Sequence, residues 1–310
     1  MERLIKKIGA VSMTNVDLVY KGLPRWMREG EELYSEGFEM LLGGGYPATL
    51  IHLAGLGFEC KLCTYLGKDV FSEFACREMR SYGLEPVNVY RGDGVGVNLS
   101  TVMLTPGERT IATYTAGEAS CAETEEKIYN ALKGSELVLA EPLKHAEVYG
   151  RLKDEGAVIV LDTGWDDELG YEKYGEYLKL ADYFTPNTKE ACKLTGKENP
   201  FDALDELSLT FDRAVVKLDK GGSAGKENGK TVVVKEIEEF RCVDATGAGD
   251  NFLAGFVYGI AHGLGLGEIL LAGNATGGKC VSEIGCIKGR LNEKELGYYM
   301  EKYRANIAWR

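Results

Sequence analysis

Positive charge is scarce in this chain of 310 residues: 36 Lys and Arg against 48 Asp and Glu leave a net charge of −12. That balance excludes the basic footprint with which a protein holds nucleic acid. Long apolar runs are absent too. No stretch reaches the ~18 residues that would span a membrane. Met1 to Met13 contains no apolar segment ahead of a cleavage site, so no secretory signal is expected. Two phosphate-binding signatures are missing. Without G-x-x-x-x-G-K-[ST] the chain is not a P-loop NTPase. A dinucleotide fold needs G-x-G-x-x-G after an early strand. Gly43-Gly44-Gly45 does not fit that pattern, and Gly263, Gly265 and Gly267 follow a helical stretch.

Eight cysteines are spread thinly, at 60, 63, 76, 121, 192, 242, 280 and 286. In a chain this long they build no disulfide framework. Cys60 and Cys63 form a C-x-x-C, but the run Phe58 to Leu66 reads as a strand, where residues three apart face opposite sides. With no second C-x-x-C and no His pair beside it, core cysteines are preferred over a redox or zinc site. Reduced thiols and no targeting signal predict a cytoplasmic location.

What is abundant is glycine, 40 residues, about twice the usual share. An acidic protein that handles phosphate must find local positive potential in backbone N–H groups, a metal or a few lysines, so glycine loops are the place to look.

No internal repeat or low-complexity tract interrupts the chain. Leu137 to Ala140, Val158 to Asp162, Tyr183 to Thr185 and Ala214 to Leu218 are short apolar runs with β-branched content, separated by helical stretches at Ala146 to Glu155, Leu169 to Leu180 and Lys189 to Leu194. Strand, helix, strand at this spacing predicts a parallel sheet covered on both faces, with ligands at the C-terminal strand ends. Two regions break the alternation. Asn15 to Tyr20 with Glu32 to Met40, and Val95 to Leu104 with Thr110 to Tyr114 across a Thr105-Pro106-Gly107-Glu108 turn, read as a small antiparallel β lid. The predicted organisation is an α/β/α body of residues 1–13, 41–92 and 116–310 with an inserted lid of residues 14–40 and 93–115. Near the end, Asp250 to Ala261 and Glu268 to Val281 carry apolar residues at helical spacing and form a core helix pair, in which Gly255 and Gly259 permit close packing.

The densest chemical signal is Asp244-Ala245-Thr246-Gly247-Ala248-Gly249-Asp250, between an extended stretch (Lys230 to Val243) and the first helix of that pair. Gly247 and Gly249 let backbone N–H groups converge, and the helix start adds partial positive charge. An anion hole for a phosphoryl group is the result. Asp250 in the first turn could take a proton from an attacking hydroxyl; its bland reading is a helix cap after a glycine loop.

Together these residues resemble the ribokinase-like (PfkB) carbohydrate kinases, whose C-terminal signature is D-T-x-G-A-G-D-x-F. Gly43-Gly44-Gly45-Tyr46-Pro47-Ala48 through Leu56-Gly57 is similar to the family's N-terminal signature, and Tyr65 to Phe71 to its continuation. Asn15-Val16-Asp17 matches the family's N-x-D, Pro106 to Thr110 its lid hairpin, and Asn187-Thr188-Lys189-Glu190 its N-x-x-E. The resemblance spans nearly the whole chain. It implies a three-layer body with a β lid, ATP and Mg²⁺ as donor and cofactor, and a sugar-like acceptor; the alternation of apolar and polar residues along the lid strands predicts a homodimer joined through the lid. Residue by residue it implies Asp250 as base and Gly247, Ala248 and Gly249 as anion hole. Asn187 and Glu190 would hold the Mg²⁺–phosphate end, largely through water, with Lys217, Gly222 and Asn274 along the nucleotide. Asn15, Asp17, Gly44, Gly45 and Glu141 would meet the acceptor, though Glu141 reads equally well as a solvated loop residue. Asp244 and Thr246 would supply oxygens to a monovalent cation, K⁺.

Three positions depart from the family pattern. Ala48 or Thr49 stands where a substrate-contacting Asn is usual, which argues against ribose. Asp219 replaces the common Gly of the nucleotide turn Lys217 to Gly222, placing a carboxylate near phosphate. Ala245 replaces a Thr. A sugar or sugar acid is the expected acceptor because Asn15 and Asp17 suit a polyol. A nucleoside is the alternative, and a ligand-binding protein without catalysis a remoter one.

Overall fold

The computed structural model describes residues 4–106, 109–115 and 121–310. Gly107 and Glu108, at the centre of the expected lid turn, lie outside the described residues, as does residue 116, where the body was expected to resume. The chain opens on β1 (Lys7–Val11), enters β2 (Asn15–Lys21) and β3 (Gly37–Leu42), and continues through α1 (Tyr46–Gly55), β4 (Glu59–Thr64), α2 (Val70–Ser81) and β5 (Pro86–Asn88). It then leaves for β6 (Asn98–Leu104) and β7 (Arg109–Tyr114). On its return it alternates through α3 (Ala122–Leu132), β8 (Leu137–Ala140), α4 (Ala146–Asp154), β9 (Val158–Leu161), α5 (Tyr171–Leu180) and β10 (Tyr183–Phe184). Next come α6 (Thr188–Thr195), α7 (Pro200–Leu207), β11 (Arg213–Lys217), β12 (Ser223–Glu227), β13 (Lys230–Val234), α8 (Ala248–Ala261), α9 (Leu266–Cys280), α10 (Glu293–Lys302) and β14 (Ile307–Trp309).

Six strands make a parallel sheet in the order β10-β9-β8-β1-β4-β5. Its strands are apolar on both sides because both faces are covered. Along β8, Leu137 and Leu139 enter one core with Leu50, Phe252 and Leu270. Val138 and Ala140 enter the other with Ile128, Tyr149 and Ala203. The period of two assigns each residue to a helix layer. Cys60 packs against the first core and Cys63 lies in the second, so the C-x-x-C residues do face opposite sides.

The second sheet, β11-β12-β13-β14, is antiparallel throughout. It corrects the reading of Ala214 to Leu218 as another strand of the parallel alternation. A tight turn returns the chain at once from β11 to β12, so the hairpin partner takes that edge. Among the described residues a single bridge, Asn187 to Lys217, joins β11 to the end of the parallel series. The extended stretch expected to run to Val243 ends as strand at Val234, because its partner β12 begins at Ser223, opposite Val234.

The lid sheet has the order β3-β2-β6-β7. It is mixed rather than antiparallel: β2 and β6 pair in parallel, from Asn15 opposite Asn98 to Tyr20 opposite Met103. Both strands leave the body after strands of the parallel sheet, β1 and β5, and therefore run the same way. Residues 32 to 36, expected as strand, precede β3 because β2 ends at Lys21, opposite Gly37. Among the described residues no helix is long and apolar enough to cross a membrane.

Candidate active site

The site lies at the C-terminal ends of the parallel strands, where the lid, the start of α1 and the start of α8 meet. Gly247 caps α8 with φ 76°, a left-handed backbone that glycine adopts freely. Asp250 therefore falls in the first turn. Its backbone oxygen accepts from Thr49 Oγ1 at 2.9 Å, which ties α8 to α1. Its carboxylate faces the glycine turn before α1 and accepts from the Gly45 N–H. Gly44 leaves the room for this approach: a Cβ there would stand 2.4 Å from Asp250 Oδ2.

Asn15 and Asp17 sit on β2 beside the same turn. Asn15 Nδ2 donates to Gly44 O at 3.2 Å, and a Cβ on Gly43 would meet Asp17 Oδ2 at 2.9 Å. Asp17 also takes a hydrogen bond from Ser100, while burial pushes its carboxyl above the ordinary range. Asn98 of β6, which the sequence did not single out, donates from Nδ2 to Asn15 Oδ1 at 2.8 Å.

A second group of charges closes the floor. Lys217 Nζ lies 2.7 Å from Asp162 Oδ2, with side chains only 13% and 17% exposed. Thr185 Oγ1 donates to the same oxygen at 3.1 Å. Burial opposes the charge on Lys217, but Asp162, Glu190 and Asp250 outweigh it and hold the ammonium above its ordinary value. Burial also raises the carboxyls of Glu190 and Asp250, each helped by Asp162, with Lys217 opposing. Three carboxylates thus share one ammonium. Sequence reasoning missed Asp162. Its one signal was its place at the end of a predicted parallel strand, where ligands gather.

Asn187 and Glu190 form a capping box. Asn187 Oδ1 accepts from Glu190 N at 3.0 Å, and Glu190 Oε2 from Asn187 N at 2.8 Å. The N-x-x-E pair is therefore a helix start as well as a candidate ligand. Tyr46 ties β8 to β9: its hydroxyl donates to Ala140 O at 2.8 Å and accepts from Asp162 N at 3.2 Å. Glu141 directly follows Ala140, whose backbone oxygen accepts from Tyr46, so it leaves the end of β8 beside that contact. Glu141 Oε1 pairs with Lys144 at 3.2 Å, and its buried Oε2 has no hydrogen-bond partner among the described residues. It is not the solvated loop residue of the alternative reading.

Gly222 and Asn274 meet elsewhere, at the end of β13. Asn274 Nδ2 donates to Val234 O at 2.9 Å and Lys235 O at 3.2 Å, and a Cβ on Gly222 would strike Val234 O at 2.1 Å. In the turn before Gly222, Asp219 holds φ 52°, the conformation its usual glycine would favour, and is exposed.

Asp244 and Thr246 are brought together, but their oxygens are engaged. Asp244 Oδ1 accepts from Thr246 N at 2.9 Å and Thr246 Oγ1 at 2.6 Å, and Oδ2 accepts from Gly285 N at 3.0 Å. Arg109 of the lid donates to Thr246 Oγ1 and stands 3.6 Å from Asp244 Oδ1. With the Arg109 guanidinium against them, these two side chains leave no place for the K⁺ that the resemblance implied. The floor carboxylates do fit Mg²⁺: three negative charges against one ammonium leave a surplus that a hard dication would balance. Among the described residues no group of three such side chains is placed to hold a metal ion by itself.

A buried acid at a glycine-lined helix start thus faces a second glycine turn under a β lid. The description "pfkB family carbohydrate kinase" matches residues 3–293. This chain belongs to the PfkB family and is a sugar kinase of that type. It is 24% identical over 288 residues to 2-dehydro-3-deoxygluconokinase of Bacillus subtilis (strain 168), covering 86% of this chain and 89% of that one. Its fold matches ribokinase from Thermotoga maritima with a TM-score of 0.81 at 20% identity, over 96% of this chain and 99% of that one. It also matches Arabidopsis thaliana ribokinase complexed with ribose and ATP, with a TM-score of 0.79 at 23% identity and the same coverage.

Proposed function

We propose that this kinase transfers the γ-phosphoryl group of ATP to a hydroxyl of a small sugar or sugar acid, with Asp250 as the base. The observation that carries the reading is the placement of Asp250: its carboxylate faces the Gly44–Gly45 turn while its backbone belongs to the helix start that would hold the phosphate. Asp250 takes the acceptor's proton as the hydroxyl oxygen bonds to the γ-phosphorus. The bond from that phosphorus to the β-phosphate oxygen breaks, and ADP leaves. The N–H groups of Gly247, Ala248 and Gly249 face the charge that develops. Asn15 and Asp17 orient the acceptor. Glu141 Oε2 offers a buried acceptor that a substrate hydroxyl would satisfy. Lys217 would lie against the phosphates, Asp162 and Glu190 would hold Mg²⁺, and Gly222 with the Val234–Lys235 segment would border the adenine. Bound Mg²⁺ supplies charge neutralisation at the phosphates.

The lid is also the proposed dimer surface. The strand register puts Leu18, Tyr20, Phe38 and Met103 on one face, and none of them is buried. The testing experiment is an acceptor screen with Mg²⁺ and ATP, reading ADP release for ribose, ketohexoses, 2-dehydro-3-deoxygluconate and nucleosides. Turnover with a sugar or sugar acid is expected. Turnover with nucleosides alone would replace the acceptor assignment, and none with any hydroxyl compound would remove the reading.

A further inference from the structure

Arg109 reaches from the first residue of β7, in the lid, to the loop that opens α8. Its guanidinium donates to Thr246 Oγ1 and lies 3.6 Å from Asp244 Oδ1, where the family resemblance placed a monovalent metal ion. The loop needs a cation at that point for a physical reason. Asp244 is partly buried and braces the loop from both oxygens, holding Thr246 on one side and Gly285 on the other. Asp17 adds a second carboxylate that feels both Asp244 and Arg109. Two carboxylates beside a phosphate-binding helix start oppose an incoming phosphate unless a positive charge answers them.

We infer that Arg109 is the resident cation of the anion-hole loop, replacing K⁺, and that it makes the order of this loop depend on the position of the lid. A metal ion would neutralise Asp244 wherever the lid stood. A guanidinium carried on β7 does so only while β7 lies over the loop. It also uses a planar, permanently charged group whose donors suit a hydroxyl and a carboxylate together. The residue is a positioning residue: it acts on the phosphate through Asp244 and Thr246. The inference rests on the reading of this loop as the phosphate site.

The test measures binding of AMP-PNP, a non-hydrolysable ATP analogue, with Mg²⁺, in about 100 mM KCl and in equal tetramethylammonium chloride, which matches screening without offering a small cation. Melting temperatures are taken alongside. The unaltered protein should bind equally in both salts. Arg109→Met keeps the stem and removes the charge. It should bind about tenfold more weakly in tetramethylammonium, the worth of one charge-assisted contact, and recover in KCl as K⁺ takes the emptied position. Arg109→Lys keeps the charge without the planar fork and should bind more tightly than Arg109→Met in tetramethylammonium, with little left to recover in KCl. Three results would overturn the inference: loss of affinity by the unaltered protein when K⁺ is withdrawn, an Arg109→Met variant that binds normally in both salts, or one weakened equally in both. An unaltered protein that binds no AMP-PNP in either salt would overturn the nucleotide reading, and this one with it.

Discussion

At Asp250, burial pulls the carboxyl toward the neutral form while the Gly45 N–H and Lys217 pull it back. The balance lies above the ordinary carboxylate value, and two consequences follow. A base must be ionised to act, so the acid limb of the kcat/KM profile should fall at a higher pH than a free Asp would give. Lys217→Met removes the charge that favours ionisation and should move that limb further up. A pH-rate series on both proteins checks this, and a limb that stays put would detach Lys217 from the base. The second consequence concerns stability. A carboxyl with a raised folded-state pKa binds its proton more tightly folded than unfolded, so stability is lost as pH rises from the ordinary carboxylate value through the raised one. Where Asp250 is ionised the fold carries that charge at a cost, and Asp250→Asn should melt no lower than the unaltered protein. Asp17→Ala should weaken acceptor binding by about 1–3 kcal/mol, the scale of one buried hydroxyl partner, and should not raise the ATP KM. Separate KM determinations decide it. The residues of the glycine loops were legible because their spacing is itself the chemistry. Asp162 was not, because a lone Asp after an apolar strand looks like any strand end until Lys217 is folded against it.

Helices, whose apolar spacing is local, were readable; which strands pair, and in which direction, was only partly so. The helix pair α8 and α9 announced itself by apolar spacing and by glycines at the crossing. A Cβ on Gly255 would stand 2.2 Å from Ala272 O, and that neighbour is backbone that cannot turn aside. Gly255→Ala should therefore cost about 1–3 kcal/mol by overpacking. Gly297→Ala, in α10 with nothing within 4 Å, should gain about 0.5–1 kcal/mol. Urea midpoints of the two variants against the unaltered protein test the pair. In the lid, by contrast, Asn15 and Asn98 hydrogen-bond across 83 residues of sequence. Nothing in either segment alone says that their strands run parallel. Alternation predicted sheet, and only the shared exit from β1 and β5 fixes the direction.

For the molecule as a whole, a strongly acidic protein binds a polyanion by concentrating its few positive groups. Lys217 and the start of α8 meet where the strands end, with Arg109 arriving from the lid. A base beside ATP would also activate water, so the lid must exclude it during transfer. ATP hydrolysis without acceptor should then be far slower than transfer with it; comparable rates would mean an open site. If the apolar lid face is a dimer surface, light scattering at micromolar concentration should give twice the chain mass. A fully active monomer would leave Phe38 and its neighbours without that role. The central claim, that Asp250 removes the acceptor's proton, is tested most directly by kcat for Asp250→Asn, measured with saturating ATP and the acceptor found in the screen. Asn keeps the size and capping ability of Asp and loses only the proton acceptor. The account predicts a fall of about 10²–10⁴ in kcat with both substrate affinities nearly unchanged. A variant that retained more than about a tenth of the original kcat, well short of a general base's usual worth, would contradict it and make Asp250 a helix cap.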